Sequence, residues 1–199
     1  MLDFLIHLRD HVELSAVALG AALAIGVPLG SFAAATPRAR DVVLAVVGIA
    51  RVVPSLAVLA LMLPLVGVGF APAAIALALL AIPPIAINTD LGLRGVPESV
   101  RDAARGLGMD DAQIRRRIEW PLAMPVVFSG VRTAAVEVVA SATLAAFIGG
   151  GGLGEYIVNG IALNDTSLLL EGAVAVGALA LVVQGALSLV ERRLTVPGA

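Results

Sequence analysis

The chain has 199 residues, of which 59% are hydrophobic and 14% are charged, and its formal net charge is −2. A soluble domain carries about 25% charged residues, so this composition predicts an all-α polytopic membrane protein. All the basic residues are arginine, and without lysine the chain cannot form the phosphate-binding loop of a P-loop ATPase. The absence of cysteine excludes disulfides and thiolate metal sites.

Long apolar segments cover most of the chain, and a helix of about 20 such residues crosses a bilayer core of roughly 30 Å. The first two segments are 14–36 and 42–66. A turn at 67–72 separates the second from a third, which continues to about residue 87. The last two segments are 121–148 and 168–190. We therefore predict five membrane-spanning helices, or six if the uncertain boundary near residue 67 hides another.

The arginines predict how these helices are oriented, because loops on the cytoplasmic side are enriched in basic residues. Ten of the thirteen follow the first helix, lie between the third and fourth, or follow the fifth, which with five helices is always the same side. The opposite loops, 67–72 and 149–167, contain no arginine. We expect an N-terminus outside the cell, with the loop at about 94–120 and the C-terminus in the cytoplasm.

The 94–120 loop has signals for two short helices. Pro97 suits the first turn of a helix that ends near Gly106 or Gly108. Asp110 is a candidate N-cap for a second helix, with Gln113 three residues later as in a capping box. Two short helices joined at a glycine would form a compact surface for a partner. The alternative is a solvated basic loop that only fixes the membrane topology.

The same loop contains a spaced pattern that resembles a known motif. It reads Asp102-Ala103-Ala104, three residues, Gly108, nine residues, and then Ile118-Glu119-Trp120-Pro121. This resembles the EAA motif of ABC-importer permeases, which is E-A-A, three residues, G, nine residues and I-x-L-P. Asp102 replaces the glutamate and Trp120 the leucine, so the carboxylate and the apolar bulk are both kept.

The resemblance extends over nearly the whole chain. The segments 51–57, 67–69 and 147–154, together with Pro84 and Asn88-Thr89, are similar to permeases for osmoprotectants such as glycine betaine, carnitine and choline. That family often has glutamine where this chain has Arg51. The resemblance implies a MetI-like type I importer fold. It also implies one permease domain over 1–199, with a coupling loop at about 94–120 and no fused substrate-binding or ATPase domain.

The family implies partners and a mechanism. Two permease subunits, the second a copy or a paralogue, would enclose a path through the bacterial inner membrane. A cytoplasmic ATPase dimer would hold ATP and Mg and dock on the coupling loop, and a separate extracytoplasmic protein would deliver substrate. The chain itself would need no cofactor, catalyse no reaction and bind no nucleic acid. The expected coupling surface is Asp102, Ala103, Ala104 and Gly108, with Ile118 and Pro121 anchoring it.

Charges inside the predicted spans are the candidate residues of the path. Arg51, Arg132 and Glu137 each cost at least about 2.5 kcal/mol in a membrane helix, so they are expected to be paired or to face a cavity. They either line the path or form a gating ion pair, or they fix helix packing. Pro54 and Asn88 are further candidates for the path.

Two other patterns leave alternatives open. His7 and His11 have the i, i+4 spacing that can bind a metal, but an interfacial segment is the preferred interpretation and no metal site is predicted. Gly26 and Gly30 are either a subunit contact or ordinary close packing.

Two rival function classes remain at this point. One is a gradient-driven secondary transporter or channel, and the other is a structural membrane subunit that recruits a cytoplasmic complex. The chain shows no convincing inverted repeat and few carboxylates within its spans, which disfavours the secondary transporter.

Overall fold

A computed structural model describes residues 2–194, and these residues form nine α-helices. In chain order the helices are α1 (Leu2–Ala35), α2 (Pro37–Val52), α3 (Ser55–Val66), α4 (Phe70–Arg94), α5 (Glu98–Gly106), α6 (Asp111–Ile114), α7 (Trp120–Ser141), α8 (Gly154–Leu163) and α9 (Thr166–Leu194). A π-helical turn at Arg115–Glu119 joins α6 to α7, and a 3-10 helix at Ala142–Ile148 follows α7.

Four helical segments are long and apolar enough to cross a bilayer, and the bent pair α2–α3 makes a fifth. The prediction of five spans is therefore confirmed, but their bounds differ from those expected. The first span begins at Leu2 rather than at residue 14, and the third continues beyond residue 87 to Arg94.

The predicted second span, 42–66, consists of two helices. Its axis turns by 94° between α2 and α3, at Val53 and Pro54. Proline cannot donate a backbone hydrogen bond, and it disfavours helical geometry for the residue before it. Val53 accordingly takes an extended conformation with φ −72° and ψ 122°.

The N-terminal histidines hold the start of α1 against other helices, and the interfacial position of this segment stays a prediction. Both lie within α1, and His11 is fully buried where its Nε2 hydrogen-bonds the carbonyl oxygen of Val139 at 3.0 Å. His7 Nε2 lies 3.0 Å from a carboxylate oxygen of Glu155. These contacts attach the start of α1 to α7 and α8.

Helix α4 is the centre of the bundle and packs against α1 on one side and α7 on the other. Small residues allow this approach. A Cβ at Gly26 would lie 2.9 Å from Ile85, and one at Gly30 would overlap the backbone of Ala86. The Gly26–Gly30 pair therefore serves close packing within the chain, in agreement with the second of the two alternatives.

The two ends of the bundle differ in composition. At one end the Gly69 amide donates to the Ile148 carbonyl at 2.7 Å, and a glycine-rich turn follows. Gly149, Gly151 and Gly152 have positive φ in this turn, which residues with a side chain rarely adopt. The short helix α8, which we did not predict, begins directly after it. The opposite end carries α5, α6 and most of the arginines.

Candidate functional site

The segment with the EAA-like pattern folds as the sequence predicts. Helix α5 begins directly after Pro97, ends at Gly106 and is followed by Gly108 with φ +82°. Asp110 is the N-cap of α6, where its Oδ1 accepts the Gln113 amide at 2.8 Å. The Gln113 side chain accepts the Asp110 amide at 3.2 Å, which completes the capping box.

The expected coupling residues divide between the surface and the interior. Asp102, Ala103 and Gly108 are exposed, whereas Ala104 is 4% exposed and faces the bundle. Sequence reasoning missed Leu107, which is 85% exposed beside Gly108. Exposed polar surface, small residues and one protruding apolar side chain give α5 the character of a docking surface.

The two expected anchors lie on a helical run that continues from α6 through the π turn into α7. Ile118 is half-buried in the π turn, and Pro121 is exposed in the first turn of α7. Ile114, one turn earlier, is 3% exposed and supplies most of the burial in this region. A displacement of α6 would therefore pass directly into α7.

Arg101 joins the docking segment to the rest of the bundle, and sequence reasoning had used it only for topology. Its Nε donates to Glu119 at 2.7 Å, Nη1 to Glu98 at 3.0 Å, and Nη2 to the Leu93 carbonyl at 2.9 Å. The guanidinium thus connects α4, α5 and the π turn. The i, i+3 spacing of Glu98 and Arg101 was the one available signal.

Hydrogen bonds also set the charge state of α5. Those from Arg101 and then Arg105 hold the pKa of the Glu98 carboxyl below its usual value. The pKa of the Arg105 guanidinium is raised, first by Glu98 and then by Asp102, whose Oδ1 accepts from it at 3.1 Å. The Asp102 side chain, an expected coupling residue, is thereby held against its own helix.

The candidate path residues fall into three separate environments. Arg51, Pro54 and Glu137 line one cavity of about 350 Å³, where α2 breaks into α3. Arg132 is elsewhere on α7 and forms an ion pair with Glu191 of α9 at 2.7 Å. The Asn88 amide nitrogen donates to the Pro84 carbonyl at 2.8 Å, in the packing between α4 and α7.

A further buried charge lies near the arginine-rich end and was not singled out from the sequence. The Asp90 side chain on α4 is 1% exposed, and its Oδ2 accepts from Arg40 Nε of α2 at 3.1 Å. This pair joins α2 to the central helix. Its two members are so far apart in the chain that no local pattern indicates it.

The chain is similar in sequence to known transport proteins. The family model described as "Binding-protein-dependent transport system inner membrane component" matches residues 26–196. The chain is 45% identical to the carnitine transport permease protein OpuCB of Listeria monocytogenes, over 92% of this chain and 84% of that protein. It is 38% identical to the glycine betaine/carnitine/choline transport system permease protein OpuCB of Bacillus subtilis (strain 168), over 95% and 87%.

A solved structure shares the fold. An inward-facing form of the MetNI methionine ABC transporter contains a chain that superposes with a TM-score of 0.87, at 22% identity. The match covers 97% of this chain and 96% of that one. The fold expected from the EAA-like pattern, a MetI-like permease, is therefore confirmed.

Proposed function

Because the chain belongs to the family of inner membrane components of binding-protein-dependent transport systems, we propose that it carries small osmoprotectants as the permease of an ABC importer. The relatives named above transport carnitine, choline and glycine betaine, and we propose the same substrate class for this chain. The observation that carries this proposal is the sequence identity of 45% and 38% to these two relatives, over 92% and 95% of the chain. As a multi-pass permease the chain is a non-catalytic transport component.

A binding-protein-dependent system includes an ATPase and a binding protein. We propose that the ATPase is a cytoplasmic dimer that holds ATP and Mg, and that a second permease, identical or paralogous, completes the path. The binding protein would be a separate extracytoplasmic chain, and residues 1–199 would act as one permease domain. The N-terminus would lie outside, with α5, α6 and the C-terminus in the cytoplasm. The arginine distribution supports this orientation.

The proposed coupling surface is the exposed side of α5 and the turn that follows it. Asp102, Ala103 and Gly108 would contact the ATPase, together with Leu107, while Ala104 supports the helix from beneath. Ile118 and Pro121 would transmit the displacement along α7. The hydrogen bonds of Arg101 support this transmission of movement, because they connect α5 to α4 and to the π turn.

The experiment is a pull-down of the tagged chain from native membranes in mild detergent, with ATPase activity measured in the eluate. We expect the wild-type chain to bring down an ATPase and Gly108→Asp to lose it. A Cβ at Gly108 meets no atom of its own chain within 4 Å, and Asp enters left-handed geometry more readily than most residues. Positive φ strains an added side chain at Gly108 and at the control position below alike, so a loss confined to Gly108→Asp would report a blocked partner contact.

Gly151→Asp is the matched control. Gly151 also has positive φ and room for a Cβ, but it lies at the opposite end of the bundle, so this variant should retain the ATPase. Recovery of wild-type chain in good yield without any ATPase would contradict the proposed function. Equal ATPase recovery with Gly108→Asp would contradict the proposed coupling surface alone.

A further inference from the structure

Arg51 and Glu137 are the charged side chains that line the cavity at the α2–α3 break. The other lining residues include Pro54, Ser55 and Ser141, and none of the described residues around this cavity is aromatic. A volume of about 350 Å³ is at the lower end of the range of roughly 300–1,000 Å³ for small-molecule sites. The cavity therefore suits a compact polar solute.

Within the described part of the chain, Arg51 and Glu137 lack the ion-pair partner that other charges within the spanning helices have. Arg132 pairs with Glu191 at 2.7 Å and Arg40 with Asp90 at 3.1 Å. Among residues 2–194, neither Arg51 nor Glu137 forms an ion pair at 4.0 Å or less, although both face the same cavity. A charge in a spanning segment costs at least about 2.5 kcal/mol. Two opposite charges that line one cavity without forming an ion pair thus point to a ligand that carries both.

We propose that Arg51 and Glu137 form a transient subsite for a zwitterion and determine which substrates the path accepts. This rests on the proposed function. Arg51 binds the carboxylate of the substrate through charge-assisted hydrogen bonds, and Glu137 faces its quaternary ammonium group. The hydroxyls of Ser55 and Ser141 are available to the carboxylate as further donors.

The subsite has a direct consequence for selectivity. Glycine betaine presents both charges, whereas choline has the ammonium group and a hydroxyl in place of the carboxylate. Choline would therefore leave Arg51 without a partner and would bring a second positive charge into the cavity. Without an aromatic cage the ammonium group is held weakly, which allows release from the path.

The test is binding to the purified permease–ATPase complex in lipid nanodiscs without the binding protein, so that the path alone is observed. Saturation-transfer NMR detects glycine betaine and choline separately at millimolar concentration. We expect Arg51→Gln to lower the glycine betaine signal relative to choline by about tenfold, as for the loss of one charged hydrogen bond. Glu137→Gln should shift the ratio in the opposite direction. Both substrates lose the attraction between Glu137 and the ammonium group, but only glycine betaine is relieved of the repulsion between Glu137 and its own carboxylate.

Matched controls separate this role from a structural one. Arg38→Gln, on the same helix as Arg51, and Glu171→Gln, on α9, lie outside the cavity and should leave the ratio unchanged. Arg51→Lys keeps the positive charge, so its ratio of glycine betaine signal to choline signal should be close to that of the wild-type complex.

A merely structural role would lower both signals together and leave their ratio constant. A constant ratio would therefore overturn the proposed subsite. Shifts of the ratio in the same direction for both glutamine variants, or the absence of any signal from the wild-type complex, would also overturn it. Uptake by wild-type cells measures the proposed function independently, so failure of the subsite would leave the importer assignment standing.

Discussion

Glycines at the helix contacts determine how closely the spanning helices approach one another. Gly130 of α7 is the clearest case, because a Cβ there would lie 2.5 Å from the Asn88 Cβ and 2.7 Å from the Pro84 carbonyl oxygen. The obstacles include backbone of the central helix, which cannot rotate away. Asn88 is also fixed by its hydrogen bond to Pro84. The α4–α7 contact therefore depends on the missing side chain.

We predict that Gly130→Ala destabilises the purified chain by about 1–3 kcal/mol, the usual cost of overpacking. The measurement is the unfolding transition in mixed micelles. Gly177→Ala on the exposed side of α9 is the control, since its Cβ would meet nothing within 4 Å. We expect that control to stabilise the chain slightly, by about 0.4–1 kcal/mol, since alanine is the better helix former. Equal unfolding midpoints for the two variants would contradict the prediction, because they would mean that the α4–α7 contact can relax around the added methyl group.

At the scale of elements, the coupling segment depends on helix ends rather than on helix propensity. Helix α6 has four residues, too few to be stable alone, and it survives as the first turn of the run that continues into α7. The Asp110 side chain accepts the Gln113 amide, and Ile114 is the buried residue of this turn. The cap thus determines where the long helix begins relative to α5.

We predict that Asp110→Ala frays this helix end, because loss of an N-cap costs about 1 kcal/mol, equivalent to roughly fivefold faster amide exchange. Hydrogen–deuterium exchange of residues 111–114 is the measurement. Asp110→Asn should exchange like the wild type, since asparagine is an equally good N-cap. Unchanged exchange in the alanine variant would mean that packing of Ile114 alone holds the turn.

At the scale of the whole molecule, the two ends of the bundle have opposite character. Arginine-rich segments and the α5–α6 region lie at one end, and the Gly69–Ile148 contact with the glycine turn lies at the other. Family membership identifies the chain as a transport permease and leaves no support for the rival classes of gradient-driven transporter or structural subunit. The orientation remains a prediction from charge.

Because the chain has no cysteine, single cysteines give a clean test of orientation. Val68 and Leu107 are 75% and 85% exposed at opposite ends of the bundle. We predict that a membrane-impermeant maleimide labels Val68→Cys in intact cells and labels Leu107→Cys only after permeabilisation. The reverse pattern would place the N-terminus and α8 in the cytoplasm.

Local patterns in the sequence predicted much of this molecule. Hydropathy indicated five spans, and Asp110 with Gln113 identified a capping box that the structure contains. The 94° turn at Pro54 was underestimated because a proline can kink a helix or end it, and packing on α4 decides which. Helix α8 was missed because its short apolar sequence has no strong start signal. The contact of His11 with Val139 could not be predicted, because the two residues are remote in the chain.

The sequence by itself determined the membrane class, the family and the capped start of α6, because hydrophobic length, spacing and capping act over a few neighbouring residues. The tertiary structure alone decided which charges meet. It pairs Arg132 with Glu191 and Arg40 with Asp90, and it leaves Arg51 and Glu137 facing one cavity. Such contacts join helices that are distant in the chain, so they depend on how the helices pack and cannot be derived from local spacing.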